Sequence, residues 1–101
     1  MPFFENLTIW KDSRVLVNDI YRIHQSFKDY GFKDQIQRAA VSVMNNISEG
    51  AESGSDATFI RYLRIAKASC AEVRSMLYLC EDFKICNLDE AEELRSKSTK
   101  I

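Results

Sequence analysis

Asp34-Gln35-Ile36-Gln37-Arg38-Ala39-Ala40-Val41-Ser42-Val43-Met44-Asn45-Asn46-Ile47-Ser48-Glu49-Gly50 reads as one amphipathic helix. Ile36, Ala39, Ala40, Val43, Met44 and Ile47 recur at the i, i+3, i+4, i+7, i+8, i+11 spacing. At about 100° per residue they cover roughly 140° of one side. Gly50 is expected to close the helix in the left-handed conformation. Gln35, Arg38, Ser42, Asn45, Asn46 and Glu49 cover about 100° of the far side. A solvated helix face normally carries Lys and Glu, whereas Ser and Asn are poorer helix formers by about 0.5 kcal/mol each against Ala. Adjacent asparagines inside a helix point to amides that bond a neighbouring helix, a second subunit or a ligand; a merely solvated face is the alternative. Arg38 and Glu49 stand three turns apart and cannot bond each other. Each is expected to pair with another helix or subunit, with Asn45 and Asn46 completing the network.

Outward from this segment, Gly and Pro are few and cut the chain into four helical stretches. The first is expected to start after Asn6 as N-cap, with apolar rows Leu7, Trp10, Val17, Tyr21 and Leu16, Ile20, Ile23, Phe27. It should fray near Lys28–Tyr30, before Gly31. Beyond Gly50, the loop Glu52-Ser53-Gly54 leads to Ser55 as N-cap of a long third helix, from about Asp56 to Phe83. Its core row is Phe59, Tyr62, Leu63, Ala66, Cys70, Val73, Leu77, Cys80. Asn87 and Glu90 form a capping-box pattern at the start of a fourth helix. Its acids lead and its bases follow, as the helix dipole favours. Its apolar row (Leu88, Ala91, Leu94, Ile101) is thin. Long helices joined by short loops pack antiparallel. The fold expected is all-α, an up-down-up-down four-helix bundle with a short fourth helix. That short helix should leave a groove open at one end.

The chain has 101 residues, enough for one domain over 1–101. Its net charge of −1 lacks the basic excess of a polybasic nucleic-acid binder. Divided at residues 32 and 84, each stretch is close to balanced. No apolar run approaches the ~18 residues of a membrane span, and the N-terminal Met1-Pro2-Phe3-Phe4-Glu5, without a basic or an apolar region, is not expected to act as a leader peptide. Cys70, Cys80 and Cys86 fit neither a disulfide framework nor a metal knuckle. A cytoplasmic protein with reduced thiols is expected.

Catalytic chemistry is hard to assemble from these residues. His24 is the single histidine, expected at the edge of the apolar face of the first helix with no titratable partner. Cys70 and Cys80 stand about three turns apart on one helix, out of reach of each other, and read as small core hydrophobes. Cys86 is expected near a loop and open to reaction, with nothing visible to activate it. No enzyme activity, metal or cofactor is expected. A second stripe, on the third helix, interleaves Ile60, Arg64, Lys67, Ala71, Arg74 and Tyr78 and is expected opposite the core row. Arg61 adds to its basic group. This stripe reads as a solvated face, as a subunit interface, or as a nucleic-acid contact with Arg and Lys on phosphates and Tyr78 stacking on a base.

The helix-two segment resembles the signature of the 23S ribosomal RNA intervening-sequence proteins, small bacterial four-helix bundles. Their second helix carries Gln-Ile-x-Arg-Ala-x-x-Ser and then Asn-Ile-x-Glu-Gly. Phe4, Leu7, Trp10, Phe59, Leu63, Ala66, Ser69 and Glu72 agree as well, so the resemblance runs over about residues 4 to 84. It implies a left-handed bundle that assembles into a ring, usually a pentamer, with no enzymatic activity. Some members are encoded within an insertion in the 23S rRNA gene, and a related retroelement accessory protein is a basic pentamer that binds nucleic acid. The balanced charge here departs from that relative. The expectation is therefore a homo-oligomeric binding or scaffold protein, with nucleic-acid binding through the third helix as the alternative.

Overall fold

The computed structural model describes residues 3–101. Met1 and Pro2, part of the N-terminal stretch discussed above, lie outside them. Four helices follow a short 3₁₀ turn at Phe4–Asn6: α1 (Thr8–Ile23), α2 (Tyr30–Glu52), α3 (Asp56–Asp82) and α4 (Leu88–Thr99). They run up, down, up and down, as the short loops between them require. At about 1.5 Å per residue α3 spans roughly 40 Å, matching the 42 Å long axis of the molecule. The twelve residues of α4 cover only about 18 Å, less than half of α3.

The core is layered along the bundle. In the layer flanked by α4, all four helices contribute: Leu16 and Ile20 from α1, Ile36 and Ala40 from α2, Val73 and Leu77 from α3, Ala91 and Leu94 from α4. In the other layer, Val43 and Ile47 meet Ala66 and Cys70, with Leu7, Ile9, Trp10, Leu63 and Ile101 packed around them. The helical body of α4 ends before this second layer. Ion pairs fasten α4 where it does run: Lys97 to Asp19 at 3.1 Å, Arg22 to Glu90 at 3.6 Å, and Arg95 to Glu81 at 3.3 Å. The bond to Asp19 and its charge hold the Lys97 ammonium above its ordinary pKa.

The caps of α3 and α4 lie where their local sequence places them. Ser55 accepts from the Thr58 N–H, and Asn87 with Glu90 closes a full capping box. Elsewhere the chain departs from expectation. Asn6 ends the 3₁₀ turn, and Leu7 takes the N-cap position of α1 without a side-chain bond. α1 stops at Ile23, well before Lys28, because Asp29 caps a new helix by accepting from the Phe32 N–H. Gly31 therefore sits in the first turn of α2 rather than after α1. Gly50 is not a helix stop: α2 continues to Glu52, and a Cβ at Gly50 would stand 2.8 Å from the Tyr62 Cβ and 3.0 Å from a Phe59 ring carbon. The glycine permits close approach of α2 and α3. The left-handed turn residue is Gly54 (φ +75°), with Lys84 (φ +60°) playing that part after α3. There the N–H groups of Ile85 and Lys84 return to the carbonyls of Cys80 and Glu81, a Schellman closure made without glycine. Tyr21 and Leu88, both placed in apolar rows, are about half exposed.

Candidate functional site

The polar face of α2 divides in two. Ser42 and Asn46 turn towards α3. The hydroxyls of Ser42 and Ser69 are 3.0 Å apart, and the Asn46 amide donates to the Ser42 carbonyl at 2.8 Å and to its hydroxyl at 3.0 Å. This chain of bonds forms a polar seam between α2 and α3, so the two poor helix formers have a local reason to be there. Ser69 lies on the α3 side of the seam; its spacing from Cys70 and Val73 marks it as flanking the core row. Arg38, expected to reach another helix or subunit, instead pairs with Asp34 one turn back at 2.9 Å, and its side chain is 81% exposed. The i,i+4 spacing makes that partner the nearest one available. Gln35, Asn45 and Glu49 are exposed. The expected network across Arg38, Asn45, Asn46 and Glu49 is thus confined, within one chain, to Ser42, Asn46 and Ser69.

The α3 stripe is not opposite the core row but beside it, on the flank that faces α4. Helical rotation explains the difference: Leu63 and Cys70 lead from the core row directly round to Lys67 and Arg74. Tyr78 is 58% exposed and carries the Arg95 guanidinium of α4 on its ring, 4.1 Å from the centroid. Arg61 lies over Tyr62. Arg61, Arg64, Lys67 and Arg74 enter no ion pair among the described residues, whereas Arg22, Arg38, Arg95 and Lys97 all do. Ile60, beside Arg64, and Ile65, further round the helix, are each about half exposed.

Lys67 and Arg74 also edge a groove of about 480 Å³ that lies past the last turn of α4 among the described residues. Its floor is Ile9, Ile47, Leu63, Ala66 and Cys70, and Ser98, Thr99 and Ile101 close it at the end of α4. The short fourth helix explains its position: α1 and α3 are bridged by α4 in one layer and left apart in the other.

The histidine is not at an edge. His24 is fully buried. Its Nδ1 lies 2.7 Å from the Ile20 carbonyl and its Nε2 3.6 Å from the Cys80 Sγ. The carbonyl fixes the proton on Nδ1, so Nε2 accepts from the thiol. Phe32 stacks on the ring and Phe27 meets it edge-on. Burial lowers the His24 pKa, opposed by the Ile20 bond and reinforced by the Lys33 charge. A Cys beside a His invites comparison with a nucleophile and its base. Burial, with Cys86 nearby, instead pushes the Cys80 thiol up to about 12, far from a thiolate. Burial also raises Cys70 and Cys86. Cys86, expected near a loop and accessible though not activated, is buried against the core. Sequence reasoning missed the His24–Cys80 pair because fifty-six residues separate its members. Among the described residues no three His, Cys, Asp or Glu side chains gather as metal ligands, and no helix is long and apolar enough to cross a membrane.

Comparison with known proteins agrees with this geometry. No curated protein matches the chain. A crystal structure of a protein of unknown function from the S23 ribosomal protein family of Bacteroides thetaiotaomicron VPI-5482 superimposes with a TM-score of 0.83 at 25% identity, covering 92% of this chain and 90% of that one. The description "23S rRNA-intervening sequence protein" matches residues 5–101. With helix order, the α2 signature and that span in agreement, the chain belongs to the 23S rRNA-intervening sequence protein family.

Proposed function

We propose that this protein is a non-enzymatic, cytoplasmic binding or scaffold module that works as a homo-oligomer. The observation that carries the reading is the outer and α4-facing surface of α3. Ile60 and Tyr78 lie on one line of this helix and are each more than half exposed, with Leu79 and Ile65 at least 40% exposed further round it, among cations that enter no ion pair among the described residues. Scattered exposed apolar residues are ordinary. Ile60 and Tyr78 aligned with Arg64 have the make-up of an interface that buries aromatic and aliphatic groups and pairs its charges across the contact. Exposed acids on α4, Asp89 and Glu92, give a second copy something to offer those cations. A basic face meeting an acidic face elsewhere on the same chain is a head-to-tail contact, and such contacts close into rings when the rotation permits. A pentameric ring, which the family resemblance implies, is consistent with that pattern.

The second reading is a nucleic-acid accessory role for the same stripe, favoured by Arg61, Arg64, Lys67 and Arg74 standing free. A net charge of −1 weighs against it. Paired charge reversals separate the two. Under the oligomer reading, Arg61→Glu with Arg64→Glu lowers the solution mass, and Asp89→Lys with Glu92→Lys added to it restores the mass. Under the nucleic-acid reading the mass is unchanged, while anisotropy with labelled RNA and DNA shows submicromolar binding at about 200 mM salt that the reversal abolishes. Four phosphate contacts give a log–log salt slope near −3 to −4.

A further inference from the structure

We infer that the cleft between α1 and α2 is a binding site for a free nucleoside monophosphate. The cleft measures about 510 Å³, within the roughly 300–1,000 Å³ of small-ligand sites. Asn18, Tyr21, Arg22 and Gln25 line it from α1, and Lys33 and Gln37 line it from α2. The α1 residues fall at i, i+3, i+4 and i+7, a single line about 10.5 Å long. Lys33 and Gln37 stand about one turn apart on the other wall. The two helices run antiparallel, so Gln25 lies towards Lys33 and Asn18 towards Gln37.

Three properties of these side chains select the ligand. The Tyr21 ring has apolar spacing on α1 yet is 47% exposed, a flat surface set among amides and cations on which a base stacks. The amides of Asn18, Gln25 and Gln37 each offer a donor and an acceptor. Gln25 and Gln37 enter no side-chain hydrogen bond among the described residues. Asn18 donates to the Arg14 carbonyl at 2.9 Å and keeps its oxygen. Base edges and ribose hydroxyls match such groups, whereas a fatty acid would leave them unused. No lining residue is acidic. Lys33 enters no ion pair among the described residues, and its ammonium rests over the Tyr30 ring at 5.8 Å. Arg22 reaches Asp19 and Glu90 only at 3.5 and 3.6 Å, with its side chain 58% exposed. A free ammonium beside a loosely held guanidinium suits one terminal phosphate. A strand, with a phosphate at every step, needs a row of cations that this cleft lacks. The inference goes beyond the scaffold reading and is independent of it: charge reversal at Arg61 and Arg64 tests the mass and leaves this cleft in place.

The test is a calorimetric titration with adenosine 5′-monophosphate as the probe, beside adenosine, ribose 5-phosphate and a single-stranded oligoadenylate. The monophosphate is expected to saturate one site per chain and to bind roughly tenfold or more tightly than adenosine or ribose 5-phosphate. Lys33→Gln should weaken the monophosphate about tenfold and leave adenosine unchanged. Tyr21→Ala should weaken it by a similar factor and leave ribose 5-phosphate unchanged. Neither side chain belongs to the buried core; circular dichroism melts check folding, and either variant decides the question if the other does not fold. Amide NMR shifts during the titration are expected at Tyr21, Gln25, Lys33 and Gln37. No saturable binding below about 1 mM, equal affinity for ribose 5-phosphate, native affinity in the variants, or shifts confined to the basic residues of α3 would each overturn the inference. Tighter binding of the oligoadenylate than of the monophosphate would overturn the assignment to a free nucleotide.

Discussion

Replacing Gly50 by alanine sets two well-defined effects against each other. Inside a helix, Gly→Ala is worth about 0.8–1.0 kcal/mol in favour of alanine. At Gly50 the new methyl would stand 2.8 Å from the Tyr62 Cβ and 3.0 Å from the Phe59 ring. The Tyr62 atom belongs to the rigid stem of its side chain, so relief requires α2 and α3 to separate along a tightly packed contact. Overpacking of that kind costs about 1–3 kcal/mol, and parting the helices also loosens the Ser42–Ser69 bond. The expected net effect is a loss of about 1–2 kcal/mol, a fall in melting temperature of roughly 5–15 °C for a domain of this size. Gly31 is the internal control. It lies in the first turn of the same helix, and a Cβ there meets nothing closer than the Asp29 Oδ1 at 3.6 Å. Gly31→Ala should raise the melting temperature by a few degrees. Thermal melts at matched protein concentration measure both. A Gly50→Ala variant as stable as the parent, or more so, would refute the close-approach account of this glycine.

Three further expectations follow from the described contacts. Asn46→Ala should cost about 1–2 kcal/mol by leaving the Ser42–Ser69 seam short of a donor, while Arg38→Ala, on an exposed i,i+4 pair, should cost less than about 0.5 kcal/mol; urea titrations distinguish them, and equal losses would contradict the seam. His24 has its folded-state pKa below the unfolded value near 6.5, so the unfolded chain takes up the proton first as pH falls. Stability is therefore complete above about pH 7 and declines as pH drops through 6.5; denaturant midpoints between pH 7.5 and 5.5 should show this slope, and His24→Phe should flatten it. The three thiols are free and buried, so a thiol reagent at pH 8 should label them slowly in the native protein and completely in denaturant; a fast-reacting Cys86 would reopen the case for a nucleophile.

What the sequence disclosed was local. Ser55 and the Asn87–Glu90 pair were legible as caps because donor and acceptor lie three residues apart. The apolar rows of α2 and α3 were legible because burial imposes their period. Gly50 was misread because glycine serves two ends, a left-handed turn or a missing Cβ, and the choice rests on Tyr62, on another helix. The poor helix propensity of Ser42 and Asn46 did mark a polar contact, yet their partner Ser69 lies 27 residues from Ser42. Arg38 and Glu49 share a face with them but carry no such signal, being good helix formers content in water. The direction of the α3 stripe was misjudged by part of a turn. That small rotation moves Lys67 and Arg74 from open solvent to the edge of the groove. The groove itself was foreseeable from the lengths of α3 and α4. The burial of His24 was not, since its partners Phe32 and Cys80 come from two other helices.

The central claim, that the exposed face of α3 is covered by another copy of the chain, is tested most directly by the mass of the native protein in solution. Light scattering coupled to size-exclusion chromatography at tens of micromolar is expected to give a single species several times the 11.7 kDa of one chain, near fivefold for the ring. A clean species at one chain's mass would contradict the account.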